Sequence, residues 1–291
     1  MLRINIIGAG KVGRSFMRLA AAAPGIELGC VLARDPQHAA EAVAAVGAGR
    51  AAAGMAQMRP ADLWVLSVPD DRIAGLAGAL AEARGAQAGE GPAALHCSGF
   101  LSSEVLAPLR ARGWSAASCH PVLSFADPAL AAAQFPGTCC AIEGDAAASV
   151  LAEAMVAAFG GVPFAVDPAG KALYHAAAVF SNNFATVLQA MAQEAWAAAG
   201  VPPEIAVCLG RTLLDGTAAS VARLGPAAAL TGPAARGDAE VLRLQAAAVA
   251  QWHPEAAELY AGLSRLAGRL KASGTTLPGP GGTPPDAAPG A

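Results

Sequence analysis

Over the first half of the chain apolar residues fall in short unbroken runs; over the second half they recur at helical spacing. The runs are RINII (3–7), IELGCVLA (26–33), DLWVLSV (62–68), AALHC (93–97) and SAASCH (115–120), and KVGRSFMRLAAAA, DRIAGLAGALAEA and SSEVLAPLRA lie between them with helical periodicity. A strand with one wet face alternates apolar and polar residues, whereas a strand apolar throughout is covered on both faces. Such strands joined by helices predict a doubly wound α/β architecture around a parallel sheet. TCCAIEG (138–144) and VPFAVD (162–167) flank an Ala-rich helix and extend that sheet.

After Pro168 the strand signals stop. Residues 168–272 read as successive helices, broken near GVPPE (200–204) and LTGPAARGD (230–238), so the second domain is predicted to be all-helical. The expected organisation is a sheet domain over 1–166, a helical domain over 167–272 and a tail over 273–291. The tail is rich in Gly and Pro, has almost nothing to bury and is expected to be disordered.

Charge and composition remove several classes. A net charge of −3 and the absence of Lys/Arg runs argue against nucleic-acid and anionic-membrane partners, because phosphate binding needs clustered positive charge. Hydrophobic residues make up 55% of the chain, and residues 172–193 contain no charged side chain. That window nevertheless carries His175, Ser181, Asn182, Asn183, Gln189 and Gln193, which fits a helix buried between helices better than one facing lipid. Cys30, Cys97, Cys119, Cys139, Cys140 and Cys208 form no CxxC pair and read as reduced core residues of a cytoplasmic protein. The N-terminus reads as a strand rather than a signal peptide. The five histidines and the carboxylates show no metal-ligand spacing, so no metal is expected.

GAGKVG fits G-x-G-x-x-G with Gly8, Gly10 and Gly13. In a chain of 33 glycines the spacing alone says little. Its position says more: it begins where the first strand ends and opens the first helix, where backbone N–H groups and the helix dipole can hold a pyrophosphate. The loop, with Ala9, Lys11 and Val12 between its glycines, is therefore a Rossmann-type dinucleotide site, against the alternative of a plain glycine turn. At the end of the second strand stands Arg34, suited to a 2′-phosphate, which favours NADP(H) over NAD(H); Asp35, one step on, could serve a ribose hydroxyl instead. Ser67 and Val68 close the 62–68 strand and Pro69 follows it, while Ser98 and Gly99 follow the 93–97 strand, so topology alone places all five beside the cofactor.

KALYHAAAVFSNN (171–183) sets a lysine, a histidine and two asparagines in an apolar helix. At 100° per residue Lys171, His175 and Asn182 share one stripe, with Asn183 about 120° away. The chain has sixteen arginines and only three lysines, so a lysine at this helix head points to a need for a primary amine. A partly desolvated lysine can exchange a proton near neutral pH, as arginine cannot. The alternative is a lysine reaching solvent, with His175 and Asn182 as satisfied core groups.

GAGKVG, LHCSG (95–99), CHPVLSF (119–125), KALYHAAAVFSNN and LTGPAARGD together resemble bacterial Rossmann-like oxidoreductases with a C-terminal domain of unknown function. More distantly they are similar to the superfamily of 6-phosphogluconate dehydrogenase, ketopantoate reductase and pyrroline-5-carboxylate reductase. The resemblance implies an NADP(H) domain, a helical domain that makes a homodimer, and a cleft whose helix-leading lysine gives a proton while an asparagine four residues on anchors the substrate. Here His175 stands at that place. His120-Pro121 is similar to the His-Pro of prephenate dehydrogenases, with a turn-capping histidine as the alternative, and Arg236 offers a guanidinium to a carboxylate.

The expectation is an NADPH-dependent reductase of a small carbonyl or imine acid, a ketopantoate-like 2-oxo acid first. Lys171 would give the proton, tuned by His175, with Asn182, Ser98, Gly99, His120 and Arg236 around the substrate. A non-catalytic NADP(H)-binding redox sensor is the competitor, and a prephenate-type dehydrogenase the third reading.

Overall fold

The computed structural model describes residues 1–85 and 91–279; of the tail expected over 273–291, residues 280–291 lie outside them. The chain forms two compact units, Met1–Phe184 and Ala185–Ala291.

Unit 1 is built on eight strands: β1 (Leu2–Ile7), β2 (Ile26–Leu32), β3 (Arg50–Ala52), β4 (Leu63–Leu66), β5 (Ala93–His96), β6 (Ser115–Pro121), β7 (Cys139–Gly144) and β8 (Val162–Ala165). Their order is β3-β2-β1-β4-β5-β6-β7-β8. All neighbours are parallel except β6 and β7, where Pro121 lies opposite Cys140. This departs from a wholly parallel sheet, and the connection explains it. Its only helix, α5 (Pro128–Gln134, named in chain order with those below), rises about 10 Å. The seven-residue β6 spans about 23 Å. The chain therefore re-enters the sheet at the end it left.

Helices α1 (Lys11–Ala22), α2 (Pro36–Val46) and α6 (Ala146–Ala158) cover one face, packing Phe16, Met17, Ala42, Met155 and Val156 onto Ile4, Ile6, Val65, Leu95 and Ile142. On the other face α3 (Asp70–Arg84) and α4 (Ala107–Arg110) bring Ile73, Leu80 and Leu109 against Ile7, Leu32, Trp64 and Leu66. That is why these strands are apolar throughout. The short β3 carries too few residues to show as a run.

α7 (Lys171–Val179) and a π-turn at Phe180–Phe184 also belong to unit 1. The sequence had placed the boundary at 166/167, but the side chain of Lys171 is bonded into the sheet. Unit 2 is helical: α8 (Ala185–Ala198), α9 (Pro203–Leu224), α10 (Pro226–Ala229), α11 (Pro233–Arg236), α12 (Ala239–Trp252) and α13 (Pro254–Ser273). α9 is long and apolar enough to cross a membrane by length and composition, with Arg211 and Asp215 within it.

Of the six cysteines Cys30, Cys119 and Cys140 are buried and Cys97 is half-buried. Cys139 and Cys208 are exposed, which corrects the reading of all six as core residues. None is in a disulfide.

Candidate active site

The sheet reverses its order at β1, which pairs with β2 on one side and β4 on the other, and the glycine loop leaves β1 there. Gly8 has φ +115° and lies against the Ser67 carbonyl, so a Cβ would overlap that group. The Ser67 hydroxyl, from the end of β4, donates to the Gly8 carbonyl at 2.9 Å. At Gly13 a Cβ would overlap the Gly8 carbonyl oxygen, so this glycine lets α1 sit on the loop. A Cβ on Gly10 would meet nothing within 4 Å. Gly10 caps α1 without a side-chain acceptor, and no acid stands in the first turn. The loop thus presents a helix N-terminus to open space, which fits a dinucleotide pyrophosphate.

Ala9 and Val12 pack on the core, and the Ala9 carbonyl accepts from Arg14 Nε at 2.9 Å; Lys11, at the head of α1, is exposed. Arg34 is exposed too. Asp35 is used locally: its Oδ1 accepts from the Gln37 N–H at 2.9 Å and caps α2. Val68 packs against the second core and Pro69 caps α3.

Beyond β5 the chain is ordered by His96 and Ser98. His96 Nδ1 accepts from the Ser98 N–H at 3.2 Å while Nε2 donates to the Ser102 carbonyl at 3.1 Å, the pattern of a neutral imidazole. Burial pushes its pKa down to about 4. The Ser98 hydroxyl donates to Asp70 Oδ2 at 2.7 Å and accepts from the Phe100 and Leu101 N–H groups.

Lys171 lies beneath this turn, 1% exposed. Its three N–H donors go to the Ser118 hydroxyl (2.5 Å), the Ser98 carbonyl (3.2 Å) and Glu143 Oε1 (3.4 Å). Ser118 in turn donates to Glu143 Oε1, while Glu143 also accepts from the Ser103 N–H and hydroxyl, each at 2.8 Å. Desolvation lowers the Lys171 pKa from 10.5, and the Glu143 carboxylate opposes that fall. Burial would raise Glu143, but the Ser118 and Ser103 donors hold it below its ordinary value. The network continues from the Ser103 hydroxyl to Arg110 Nη2 (2.9 Å), and Arg110 Nε is paired with Asp145 at 2.8 Å. The desolvated amine expected from the sequence is present. It does not reach solvent, and its partner Glu143 was missed; a lone acid in the apolar run TCCAIEG was the available signal.

At the end of β6 is a cavity of about 590 Å³ lined by His120, Ser124, Tyr174, His175, Asn182 and Asn183 among others. Lys171 does not line it. His120, at the end of β6, has Nδ1 2.8 Å from the Tyr174 hydroxyl and its ring 5.7 Å from that of His175. Burial, with His175 and Lys171 nearby, lowers its pKa to about 4, and burial raises Tyr174 to about 12. A Cβ at Gly99 would press on both the His120 and His175 rings, so glycine there leaves the two rings their places.

The structure thus brings together Lys171 with Ser98, and His120, His175 and Asn182 around one cavity, with Gly99 against the two histidine rings. Asn183 joins them, because the π-turn at Phe180–Phe184 ends the 100° step on which the single stripe was counted. Arg236 belongs to unit 2, where its Nε and Nη2 pair with Asp238 Oδ2 at 2.9 and 2.7 Å.

A Rossmann-like domain model matches residues 1–121, and the domain of unknown function DUF2520 matches residues 138–267. No curated protein matches the chain. Among solved structures it is similar to protein TM1727 from Thermotoga maritima, with 25% identity over 93% of this chain and 99% of that one, TM-score 0.72. It is also similar to BF3122 from Bacteroides fragilis, a candidate NADP oxidoreductase, with 24% identity over 92% and 98%, TM-score 0.72. The fold is shared with 1-pyrroline-5-carboxylate reductase from Streptococcus pyogenes, at 14% identity over 93% and 98%, TM-score 0.63.

Proposed function

We propose, from the chain's membership of the Rossmann-like proteins that carry the DUF2520 domain, that it is an NADPH-dependent oxidoreductase of a small carbonyl or imine acid. The observation that carries the reading is the pairing, along one edge of the sheet, of an open glycine loop with a cavity walled by His120, Tyr174 and His175. The ends of β1 and β6 are three strand spacings apart, about 14 Å, within reach of the nicotinamide half of a dinucleotide.

Gly8 to Gly13 would hold the pyrophosphate and Arg34 the 2′-phosphate; the use of Asp35 as a helix cap supports NADP(H) over NAD(H). The bound cofactor supplies a hydride. With the Tyr174 hydroxyl as donor to Nδ1, His120, neutral at pH 7, would carry its proton on Nε2 and hydrogen-bond the oxygen or nitrogen that gains electron density, relaying to it the proton that completes the reduction and regaining one from solvent in the cavity. Asn182 and His175 orient the acid. Lys171, its N–H groups all engaged, acts as a buried positive charge that stabilises that developing density rather than as the direct proton carrier. A 2-oxo acid such as ketopantoate and a cyclic imino acid are the substrates to try first. The protein works in the cytoplasm as a homodimer through unit 2, supported by the exposed Ile205, Val207, Leu213, Leu214, Val221 and Leu224 on α9.

One observation favours an NADP(H)-binding sensor without turnover: the amine is sealed from solvent. NADPH oxidation against a panel of 2-oxo acids and cyclic imines, run with His120→Asn and Lys171→Met at matched cofactor occupancy, separates the two. Turnover lost in both variants with NADPH still bound supports the reductase. Bound NADPH with no turnover on any substrate establishes the sensor.

A further inference from the structure

The opposite end of the sheet carries a second cavity. It is about 230 Å³ in volume and lined by Arg3, Glu27, Gly29, Cys30, Arg50 and Arg59 among others. Arg3 is near the start of β1, whereas the glycine loop follows its last residue; five residue steps, about 16 Å of strand, lead from Arg3 to Gly8.

One carboxylate, Glu27, lines the cavity with three arginines, and a second, Asp62, accepts from the Arg3 backbone N–H at 2.8 Å beside it. Arg3 Nε donates to Glu27 Oε1 at 2.9 Å. Among the described residues neither Arg50 nor Arg59 has a carboxylate within 4.0 Å; the lining itself carries +2, three arginines less one glutamate, and Asp62 beside Arg3 reduces that to +1.

A buried amide fixes the backbone beneath these charges. Asn5, fully buried, accepts from the Cys30 N–H at 2.7 Å and donates to the Arg59 carbonyl at 2.8 Å. The Arg59 N–H donates to the Cys30 sulfur at 3.3 Å, and Arg50 lies opposite Cys30 in the β2–β3 pair. A Cβ at Gly29 would press on Asn5 Oδ1 at 2.5 Å, so the clamp itself requires glycine. Two arginines that have no carboxylate partner among the described residues thus stand on a backbone already ordered, which lowers the cost of gathering them around an anion.

We propose that this cavity binds a phosphate dianion, free or as a small monoester, independently of the cofactor loop. Guanidinium forks match phosphate oxygens two at a time. A volume of 230 Å³ holds the equivalent of about seven waters and lies below the roughly 300 Å³ at which pockets for larger ligands begin, which suits a phosphate and not a dinucleotide.

The test is calorimetric titration of the full chain, at low ionic strength, with inorganic phosphate and separately with methyl phosphate. It is run on the wild type, on Arg50→Ala/Arg59→Ala and on Arg34→Ala, with and without saturating NADPH, and circular dichroism verifies folding. Saturable binding is expected with a Kd on the order of 1 mM or tighter. It should weaken about tenfold or more in the double variant, and remain in Arg34→Ala and under NADPH. The tighter of the two phosphates identifies free ion or monoester. Absence of saturation by either, equal binding by the double variant, or loss with Arg34→Ala or NADPH overturns the proposal.

Discussion

Lys171 Nζ and Glu143 Oε1 stand 3.4 Å apart with side chains only 2% and 3% exposed, an ion pair between the head of α7 and the β7 strand. Ser118 bridges the two, accepting from the amine and donating to the carboxylate. Breaking a buried pair by removing one charge leaves the other uncompensated, at a cost of about 3–5 kcal/mol. Glu143→Gln should therefore lower the stability of unit 1 by that order in urea unfolding.

The same substitution should move the amine. Glu143 counteracts the desolvation that lowers the Lys171 pKa, so its removal makes Lys171 lose its proton at lower pH than in the wild type. Since the chain has only three lysines, at 11, 171 and 271, ¹⁵N-lysine NMR with Lys171→Arg as the assignment reference can follow this titration. An unchanged titration would show that the carboxylate does not hold the charge.

Acid should destabilise the fold in a window set by two histidines. His96 and His120 have pKa values near 4 in the folded protein against an ordinary 6.5. Between pH 6.5 and 4 the unfolded chain takes up protons that the folded chain refuses. Stability is thus greatest above pH 6.5, falls through that window by up to about 1.4 kcal/mol per pH unit for each histidine, and levels off with respect to them below pH 4. The loss of the Glu143 contribution begins only below its ordinary 4.5. Urea midpoints across pH for the wild type and His120→Gln check this; the variant should have a shallower slope.

The glycines of the loop should separate by effect. Gly13→Ala drives a methyl into the Gly8 carbonyl and should destabilise the fold by about 1–3 kcal/mol, read in thermal melts. Gly10→Ala meets no protein atom, so melting should hardly change while NADPH affinity falls about tenfold or more, read by nucleotide fluorescence. Equal NADPH affinity in Gly10→Ala would remove the loop from cofactor binding.

Leu213 and Val221 are exposed on α9, where Ala206 and Gly210 are the buried positions. Leu213→Glu/Val221→Glu should convert the dimer expected through unit 2 into a monomer, without lost helicity, in light scattering. A wild-type monomer at tens of micromolar would refute that assembly.

What the sequence determined by itself is the local grammar. Unbroken apolar runs gave the strands, because a sheet covered on both faces has no polar side, and the loop glycines gave the turn, because only a residue without Cβ can meet the Ser67 and Gly8 carbonyls as Gly8 and Gly13 do. Lysine at 171 stood out because arginine is the usual cation of this chain.

What only the tertiary structure decided is where charges without local partners find them. Glu143 is far from Lys171 in sequence, and nothing in TCCAIEG shows which amine it faces; the antiparallel return from β6 to β7 brings Ser118, Glu143 and Lys171 together. Helical counting likewise stops at the π-turn, whose altered pitch carries Asn183 to the cavity beside Asn182. Periodicity is a property of neighbours along the chain, whereas a buried ion pair is settled by which strands adjoin, and no short stretch of sequence encodes that.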